Sequence, residues 1–203
     1  MKIIQPDYKW AKSLTEREVT NHIVLHQRAG WGDVQGLHQF HLNKGWAGIG
    51  YHLYVRLDGT IYFGRPINCV GAQVENYNWE SIGICAEGYY SEPPAGSNIT
   101  PNRTMPAVQR AAIVEAVNYC RNLYPSAQIV KHGTLIATSC PGEYYPFDEI
   151  VRIATNTVMI AVRGQTFTGL LIDGVTYAPV RKVAEAVGQT VGWNPTTRTV
   201  TIS

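Results

Sequence analysis

The dipeptide Asp58-Gly59 restricts the fold of this chain more than any other short segment. It lies between residues 48–57 and 60–65, two runs that are rich in β-forming residues. Asp-Gly between such runs is the strongest local signal for an antiparallel hairpin. Residues 81–88 form an apolar run of small residues that is typical of a strand in the middle of a sheet. The sequence therefore predicts a β-hairpin and a separate central strand.

Further strand and helix signals lie on either side of this hairpin. Residues 22–27 predict a short strand that ends before a glycine-broken loop, where functional side chains commonly emerge from a rigid scaffold. Residues 34–42 repeat at helical spacing after Asp33, a typical N-cap. A longer helix is predicted from about residue 105 to 123, with Thr104 as its cap. Strands and helices therefore alternate along the first three quarters of the chain.

The pattern changes near residue 158. Residues 158–162 predict a strand, and Asp173-Gly174 predicts a second hairpin turn. A short helix and a final strand pair follow, without clustered ionisable groups. We therefore predict two domains, a catalytic domain over residues 1–156 and a small ββ-α-ββ module over residues 157–203.

Composition and charge exclude several classes of protein. Hydrophobic residues make up 45% of the chain and charged residues 16%, which is typical of a globular protein with a hydrophobic core. The net charge of +2 is far below that of a nucleic-acid binder. No apolar run is long enough to span a membrane, and no secretory signal is recognisable. We expect synthesis in the cytoplasm and, for any target outside the cell, release by another route.

A candidate metal site lies between His132 and Cys140, in a loop rich in small and polar residues. A catalytic zinc site needs three protein ligands and one open position for water. His26, at the end of the predicted strand, is the candidate for the third ligand. Two neutral imidazoles and one thiolate would leave the site a formal charge of about +1, which keeps the metal electrophilic.

Two other interpretations fit the same residues. Cys140 could be a buried structural cysteine and His132 a surface residue. Alternatively, Cys140 could be a nucleophile with His132 as its base. Against the nucleophile, no third residue orients the pair, and Pro141 offers no backbone N–H to an oxyanion hole.

Six blocks of sequence, in order, resemble the zinc N-acetylmuramoyl-L-alanine amidases, a family that includes phage lytic amidases and animal peptidoglycan recognition proteins. The resemblance covers about residues 20–155. It implies an α/β fold with a central mixed β-sheet flanked by helices, and cleavage of the amide between N-acetylmuramic acid and L-alanine of the peptidoglycan stem peptide. The blocks are residues 23–26, 50–53, 58–60, 77–78, 81–84 and 132–142.

The resemblance also implies roles for individual residues. His26, His132 and Cys140 match the positions that bind the zinc ion. Tyr51 matches a catalytic tyrosine that positions or deprotonates the attacking water and stabilises the oxyanion. Thr138 stands where many phage and bacterial members carry an oxyanion-stabilising lysine, so we expect a neutral supporting donor there.

Three more residues are predicted to contact substrate. Cys85 occupies a position where some members carry a glutamate, and Glu87 would share its strand face and could partly replace that group. Gln73 stands where recognition proteins often have a substrate-touching histidine, and Asn78 is the other candidate for a contact in the cleft. The sequence leaves open whether Thr138 or Glu87 replaces the lysine of the relatives.

The tail resembles the small repeat at the N-terminus of copper amine oxidases, but it contains no His or Cys and predicts no copper site. We expect it to bind cell wall or to mediate self-association. The sequence as a whole predicts a lytic amidase, an endolysin, with one catalytic Zn²⁺ and peptidoglycan as its partner. Its alternatives are a non-catalytic peptidoglycan-binding protein of the same fold and a metal-free cysteine hydrolase.

Overall fold

The computed structural model describes residues 3–172 and 174–203 and divides the chain into two compact units, Met1–Val151 and Arg152–Ser203. Asp173, part of the predicted second hairpin turn, lies outside the described residues. Within those two ranges, no helix combines the length and apolar character needed to cross a membrane.

The first unit is built on one six-stranded mixed sheet. Strands β3 and β4 form the predicted antiparallel hairpin across Asp58-Gly59, and Gly59 has a φ of +85°, which glycine adopts without strain. The other pairs, β1–β4, β3–β5, β2–β5 and β2–β6, are parallel. In spatial order the sheet is β1 (Ile3–Ile4), β4 (Ile61–Phe63), β3 (Leu53–Val55), β5 (Ser81–Ala86), β2 (His22–Gln27) and β6 (Gln128–Lys131).

From residue 3 onward, where the description of this part of the chain begins, the sheet is accompanied by four helices and one turn of 3₁₀ helix, Asn78–Glu80. Asp33 caps α1 as predicted, because its Oδ1 accepts a hydrogen bond of 2.7 Å from the N–H of Gly36. Helix α2 begins two residues later than predicted: Pro106 is extended, and a proline disfavours helical geometry in the residue before it. The helices are α1 (Val34–Asn43), α2 (Ala107–Leu123), α3 (His132–Leu135) and α4 (Phe147–Asn156).

The core lies along the two central strands, β5 and β2. Ile23, Val24 and Leu25 are fully buried, as are Ile82 and Ile84 opposite them. Each such side chain contributes about 1.5–3 kcal/mol by its burial. This packing fixes the position of the residue that follows Leu25, His26, at the carboxyl end of β2. The predicted α/β class, a mixed sheet with flanking helices, is confirmed.

The described residues of the second unit form the end of α4, two small antiparallel sheets and one further helix. Strands β7 (Thr157–Val162), β8 (Gln165–Ile172) and β9 (Val175–Tyr177) form one sheet, and β10 (Val191–Asn194) and β11 (Thr199–Ile202) form the other. Helix α5, Val180–Ala186, lies between them in sequence. Strands β7, β8 and β9 all precede α5 in sequence, and β7 pairs with the hairpin strand β8.

Candidate metal centre

The structure brings His26, His132 and Cys140 together. One ligand atom from each lies within 4.8 Å of the others. The two imidazole ring centroids are 4.5 Å apart, and Sγ of Cys140 lies 3.7 Å from Nδ1 of His26. His26 is fully buried, whereas the other two are partly exposed. Three donors of the types that zinc prefers therefore converge, although 106 residues separate the first two in sequence.

The parallel sheet explains why the two histidines meet. Strands β2 and β6 are parallel neighbours, and their register pairs Leu25 with Lys131. The residue after each of these two is a histidine: His26 lies near the end of β2, and His132 directly follows β6. Both histidines therefore lie at the carboxyl ends of adjacent strands. In open α/β sheets this edge is where ligands bind.

The loop after α3 brings Cys140 back over His132. The N–H of Gly133 donates to the carbonyl of Cys140 at 2.9 Å, which closes the loop. A Cβ atom at Gly133 would lie 2.5 Å from the carbonyl oxygen of Thr138, so only glycine fits this approach. The chain between His132 and Cys140 thus forms a folded loop of fixed geometry, and this loop sets the distance between the two side chains.

Burial sets the protonation of the three side chains. It lowers the pKa of His26 to about 3, with the neighbouring His132 adding to the effect, and it also lowers the pKa of His132. Burial raises the pKa of the Cys140 thiol to about 11. Both imidazoles are therefore neutral at neutral pH, as metal ligands must be, and the thiol would lose its proton to a bound cation.

One further observation fits a metal in this place. The buried Nε2 of His132 has no hydrogen-bond partner among the described residues. Buried polar atoms in folded proteins are nearly always satisfied. Two imidazoles and a thiolate form a donor set that zinc accepts, with a fourth position left for water.

Tyr51 lies beside the cluster. Its ring centroid is 5.1 Å from that of His26 and 5.8 Å from that of His41. It packs against the core around Cys85, and burial, together with Cys85, raises the pKa of its hydroxyl well above the ordinary value. At neutral pH the hydroxyl is therefore a hydrogen-bond donor.

Sequence reasoning did not find the role of His41. Its Nδ1 accepts a hydrogen bond of 3.1 Å from the N–H of Gly50, and burial lowers its pKa to about 4. It thereby fixes the backbone immediately before Tyr51. The only signal in the sequence was a histidine on the inner stripe of α1, which is equally typical of a core histidine.

A cleft of about 660 Å³ adjoins the cluster. Tyr51, Gln73, Asn78 and His132 line it, together with Trp46, which the sequence did not indicate. Asn78 holds its own loop, since its Oδ1 accepts hydrogen bonds from the N–H groups of Gln73 and Val74 at 2.7 and 3.0 Å. The structure thus places two of the three predicted substrate contacts at the cleft.

The two remaining predicted residues have other contacts. Thr138 is exposed, and its Oγ1 accepts a hydrogen bond of 3.3 Å from the N–H of Cys140. Glu87 is 3% exposed, and its carboxylate accepts from Gly32, Arg56 and Leu57 at 2.8, 3.0 and 3.1 Å. Glu87 is thus held by protein groups and does not line the cleft.

Comparison with known proteins identifies the class of protein that this fold and site define. A family model described as N-acetylmuramoyl-L-alanine amidase matches residues 16–143, and one described as copper amine oxidase N-terminal domain matches residues 156–203. The chain therefore belongs to the N-acetylmuramoyl-L-alanine amidase family. The amidase class, predicted from the sequence, is confirmed.

Individual relatives agree with this assignment. The endolysin of Enterobacteria phage K11 is 30% identical over 155 residues, covering 74% of this chain and 96% of the relative. The endolysin of Escherichia phage T7 is 36% identical over 134 residues, covering 62% of this chain and 83% of the relative. The solved structure of N-acetylmuramoyl-L-alanine amidase LysC from Clostridium intestinale superposes with a TM-score of 0.66 at 34% identity, covering 74% of this chain and 95% of that one. The family is generally zinc-dependent, which agrees with the His-His-Cys cluster.

Proposed function

We propose that this chain is an endolysin that hydrolyses the amide between N-acetylmuramic acid and L-alanine of the stem peptide, with one zinc ion held by His26, His132 and Cys140. The observation that carries the proposal is the convergence of these three ligand atoms within 4.8 Å, beside a cleft that His132 and Tyr51 line. A zinc ion bound there would supply a Lewis acid that lowers the pKa of water and polarises the scissile carbonyl.

Tyr51 is the residue we propose as the oxyanion donor. Its ring lies 5.1 Å from that of His26, and burial keeps its hydroxyl protonated. Of the two roles that the sequence allowed, hydrogen-bond donation to the developing negative charge fits this state better than removal of a proton from water. A donor fixed in advance costs no reorganisation when the charge develops.

Thr138 is proposed as a second, weaker donor. It lies two residues before Cys140, on the exposed side of the loop. Its Oγ1 accepts from the N–H of Cys140, which leaves its hydroxyl proton free to point toward substrate. A neutral hydroxyl contributes less to an oxyanion than the lysine of the relatives, because it brings no charge.

Peptidoglycan is the substrate that the cleft would take. Gln73, Asn78 and Trp46 line the cleft, a set of polar and apolar residues suited to a glycopeptide with both apolar and hydrogen-bonding groups. Substrate contacts by Gln73, Asn78 and Glu87 stay predictions. For Glu87, the three protein donors on its carboxylate support a structural role instead.

For the second unit we propose cell-wall binding or self-association. Its surface carries an unusual share of large apolar side chains, and apolar surface of this kind commonly marks an interaction site. Trp193, Tyr177 and Met159 are 54%, 54% and 61% exposed. We also propose that the chain reaches the wall through lysis or holin-type release.

One experiment separates the competing functions. The full chain is purified, its metal content is measured, and the release of stem peptides from purified cell wall is followed with and without a chelator. We expect one zinc per chain and hydrolysis that stops with the chelator and returns when zinc is added. Cys140→Ser serves as the matched variant.

Each other outcome favours a different function. Hydrolysis that persists without zinc would favour the cysteine hydrolase, with Cys140 as nucleophile. Zinc without hydrolysis would favour a peptidoglycan-binding protein. The raised pKa of the Cys140 thiol argues against the cysteine hydrolase, since the thiolate is the nucleophilic form.

A further inference from the structure

A chain of buried hydrogen bonds leads from the backbone of residue 77 to the metal cluster. The hydroxyl of Ser81 donates to the carbonyl of Tyr77 at 2.6 Å. Nε2 of Gln73 donates to Oγ of Ser81 at 2.7 Å, and Oε1 of Gln73 hydrogen-bonds Nε2 of His26. Gln73 is 9% exposed, and Ser81 and His26 are fully buried. We call these three side chains the Ser81–Gln73–His26 relay.

The direction of every bond in the relay follows from its fixed end. The carbonyl of Tyr77 can only accept, so it takes the single proton of the Ser81 hydroxyl. The oxygen of Ser81 must then accept from Gln73, which turns the amide nitrogen toward Ser81 and the amide oxygen toward His26.

The amide oxygen of Gln73 in turn decides the tautomer of His26. That oxygen can only accept, so Nε2 of His26 must carry the ring proton. In a neutral imidazole the other nitrogen, Nδ1, then holds a free lone pair. It is Nδ1 that lies 3.7 Å from Sγ of Cys140, on the side of the metal cluster.

The surrounding backbone holds Gln73 in this place. Its own N–H donates to Oδ1 of Asn78 at 2.7 Å, which fixes the main chain. Gly83, on the central strand β5, leaves the space that the side chain fills. A Cβ atom at Gly83 would lie 2.8 Å from Cγ and 2.9 Å from Oε1 of Gln73. Sheet and loop are thus shaped around the Gln73 side chain.

We infer that Gln73 is a positioning residue, which holds His26 in the tautomer and ring orientation that present Nδ1 to the metal. The inference rests on the proposed zinc site and gives Gln73 a role other than substrate contact. Hydrogen bonds from the second nitrogen of a ligating histidine commonly orient the ring, and their loss typically costs about 10- to 100-fold in metal affinity.

The test uses wild type and four variants of the full chain. The ring nitrogens of His26 are observed by ¹⁵N NMR in metal-free protein, with His26→Ala to assign them, and zinc affinity is measured by competition with a chelator. For Gln73→Leu we expect loss of the Nε2–H tautomer and a Kd for zinc that rises by about 10- to 100-fold. For Gln73→Glu, which keeps the acceptor, we expect the wild-type tautomer and little loss of affinity.

Gln109→Leu is the matched control. Gln109 is also fully buried and hydrogen-bonded, but its Nε2 donates to the carbonyls of Val55 and Glu87. The Gln109→Leu substitution should lower the melting temperature without changing the His26 tautomer or the zinc affinity. A general loss of stability is thereby separated from the loss of the relay.

Several results would overturn the inference. They are an Nδ1–H tautomer of His26 in the wild type, wild-type behaviour of Gln73→Leu, or equal loss in Gln73→Leu and Gln73→Glu. If Gln73→Leu does not fold, the inference is still tested by the His26 tautomer of the wild type and by the tautomer and zinc affinity of Gln73→Glu. A wild type that binds no zinc contradicts the proposed function, whereas the tautomer in metal-free protein still tests Gln73.

Discussion

At the scale of single residues, Tyr51 is held where a hydroxyl donor is useful. Its ring lies between those of His26 and His41, and it packs against the core around Cys85. His41 fixes the preceding residue through the N–H of Gly50. The ring is thus positioned by packing, and its hydroxyl lies beside the Cys85 thiol.

Replacing Tyr51 by phenylalanine should therefore separate chemistry from binding. We expect Tyr51→Phe to lower kcat by about 10²- to 10³-fold, the usual cost of one oxyanion donor, while sedimentation with purified cell wall is unchanged. Phenylalanine keeps the ring and its packing, so the melting temperature should stay close to wild type. An equal loss of hydrolysis and wall binding would show that Tyr51 is structural.

A second prediction at this scale concerns the protonation of the three candidate ligands. The Cys140 thiol keeps its proton up to a pKa of about 11, whereas the lowered pKa values of His26 and His132 leave both imidazoles already neutral. Zinc binding should therefore release one proton, and the affinity should rise about tenfold per pH unit between about pH 7 and pH 9. Calorimetry in buffers of different ionisation enthalpy measures the number of protons released per zinc ion bound. Release of no proton would contradict a Cys140 thiolate ligand.

The candidate metal ligands could be named from the sequence, because their chemistry is carried by residue type. The two histidines and the cysteine were predicted as a set before the structure placed them together. The contacts of Gln73 could not be predicted, since its partner His26 is 47 residues away and the alternative, a substrate contact, uses the same amide. Sequence spacing carries no information about which way an amide points.

At the scale of secondary-structure elements, Glu87 joins three parts of the first unit. It directly follows β5, and its carboxylate reaches Arg56 and Leu57 after β3 and the N–H of Gly32 in the loop after β2. The alternation of side chains along β5 led to the prediction of a substrate contact. That alternation ends with the strand at Ala86, so it does not govern the direction of Glu87.

Glu87→Gln should accordingly destabilise the fold and leave substrate affinity unchanged. A buried carboxylate with three donors loses charge-assisted hydrogen bonds when it becomes an amide, which should cost about 1–3 kcal/mol in the free energy of unfolding by urea. Glu92→Gln is the matched control, because the Glu92–Arg103 ion pair is exposed and should contribute less. A raised KM at unchanged stability would instead assign Glu87 to the substrate.

At the scale of the whole chain, the predicted domain boundary after Asn156 can be tested by truncation. Helix α4 ends at Asn156, and β7 begins at the next residue. We expect residues 1–156 to fold cooperatively and to remain competent to release stem peptides, because all three candidate ligands and the cleft lie before this point. A truncated chain that does not fold would show that the boundary is wrong.

The same truncation distinguishes the two roles proposed for the second unit. If residues 157–203 bind cell wall, the truncated chain should sediment less with purified wall. If they mediate self-association, light scattering should show a smaller oligomer than the full chain forms. Wild-type behaviour in both measurements would contradict both roles.

The sequence by itself predicted the hairpin at Asp58-Gly59, the central strand over residues 81–88 and the candidate metal ligands, because these follow from local pattern and residue chemistry; it did not predict the short elements β1 and α3. Only the tertiary structure decided that the ends of β2 and β6 lie side by side, that Gln73 faces His26 and that the Glu87 carboxylate accepts hydrogen bonds from Gly32, Arg56 and Leu57. Those facts depend on the register of parallel strands and on hydrogen bonds between distant residues, which the packed core selects and no local pattern encodes.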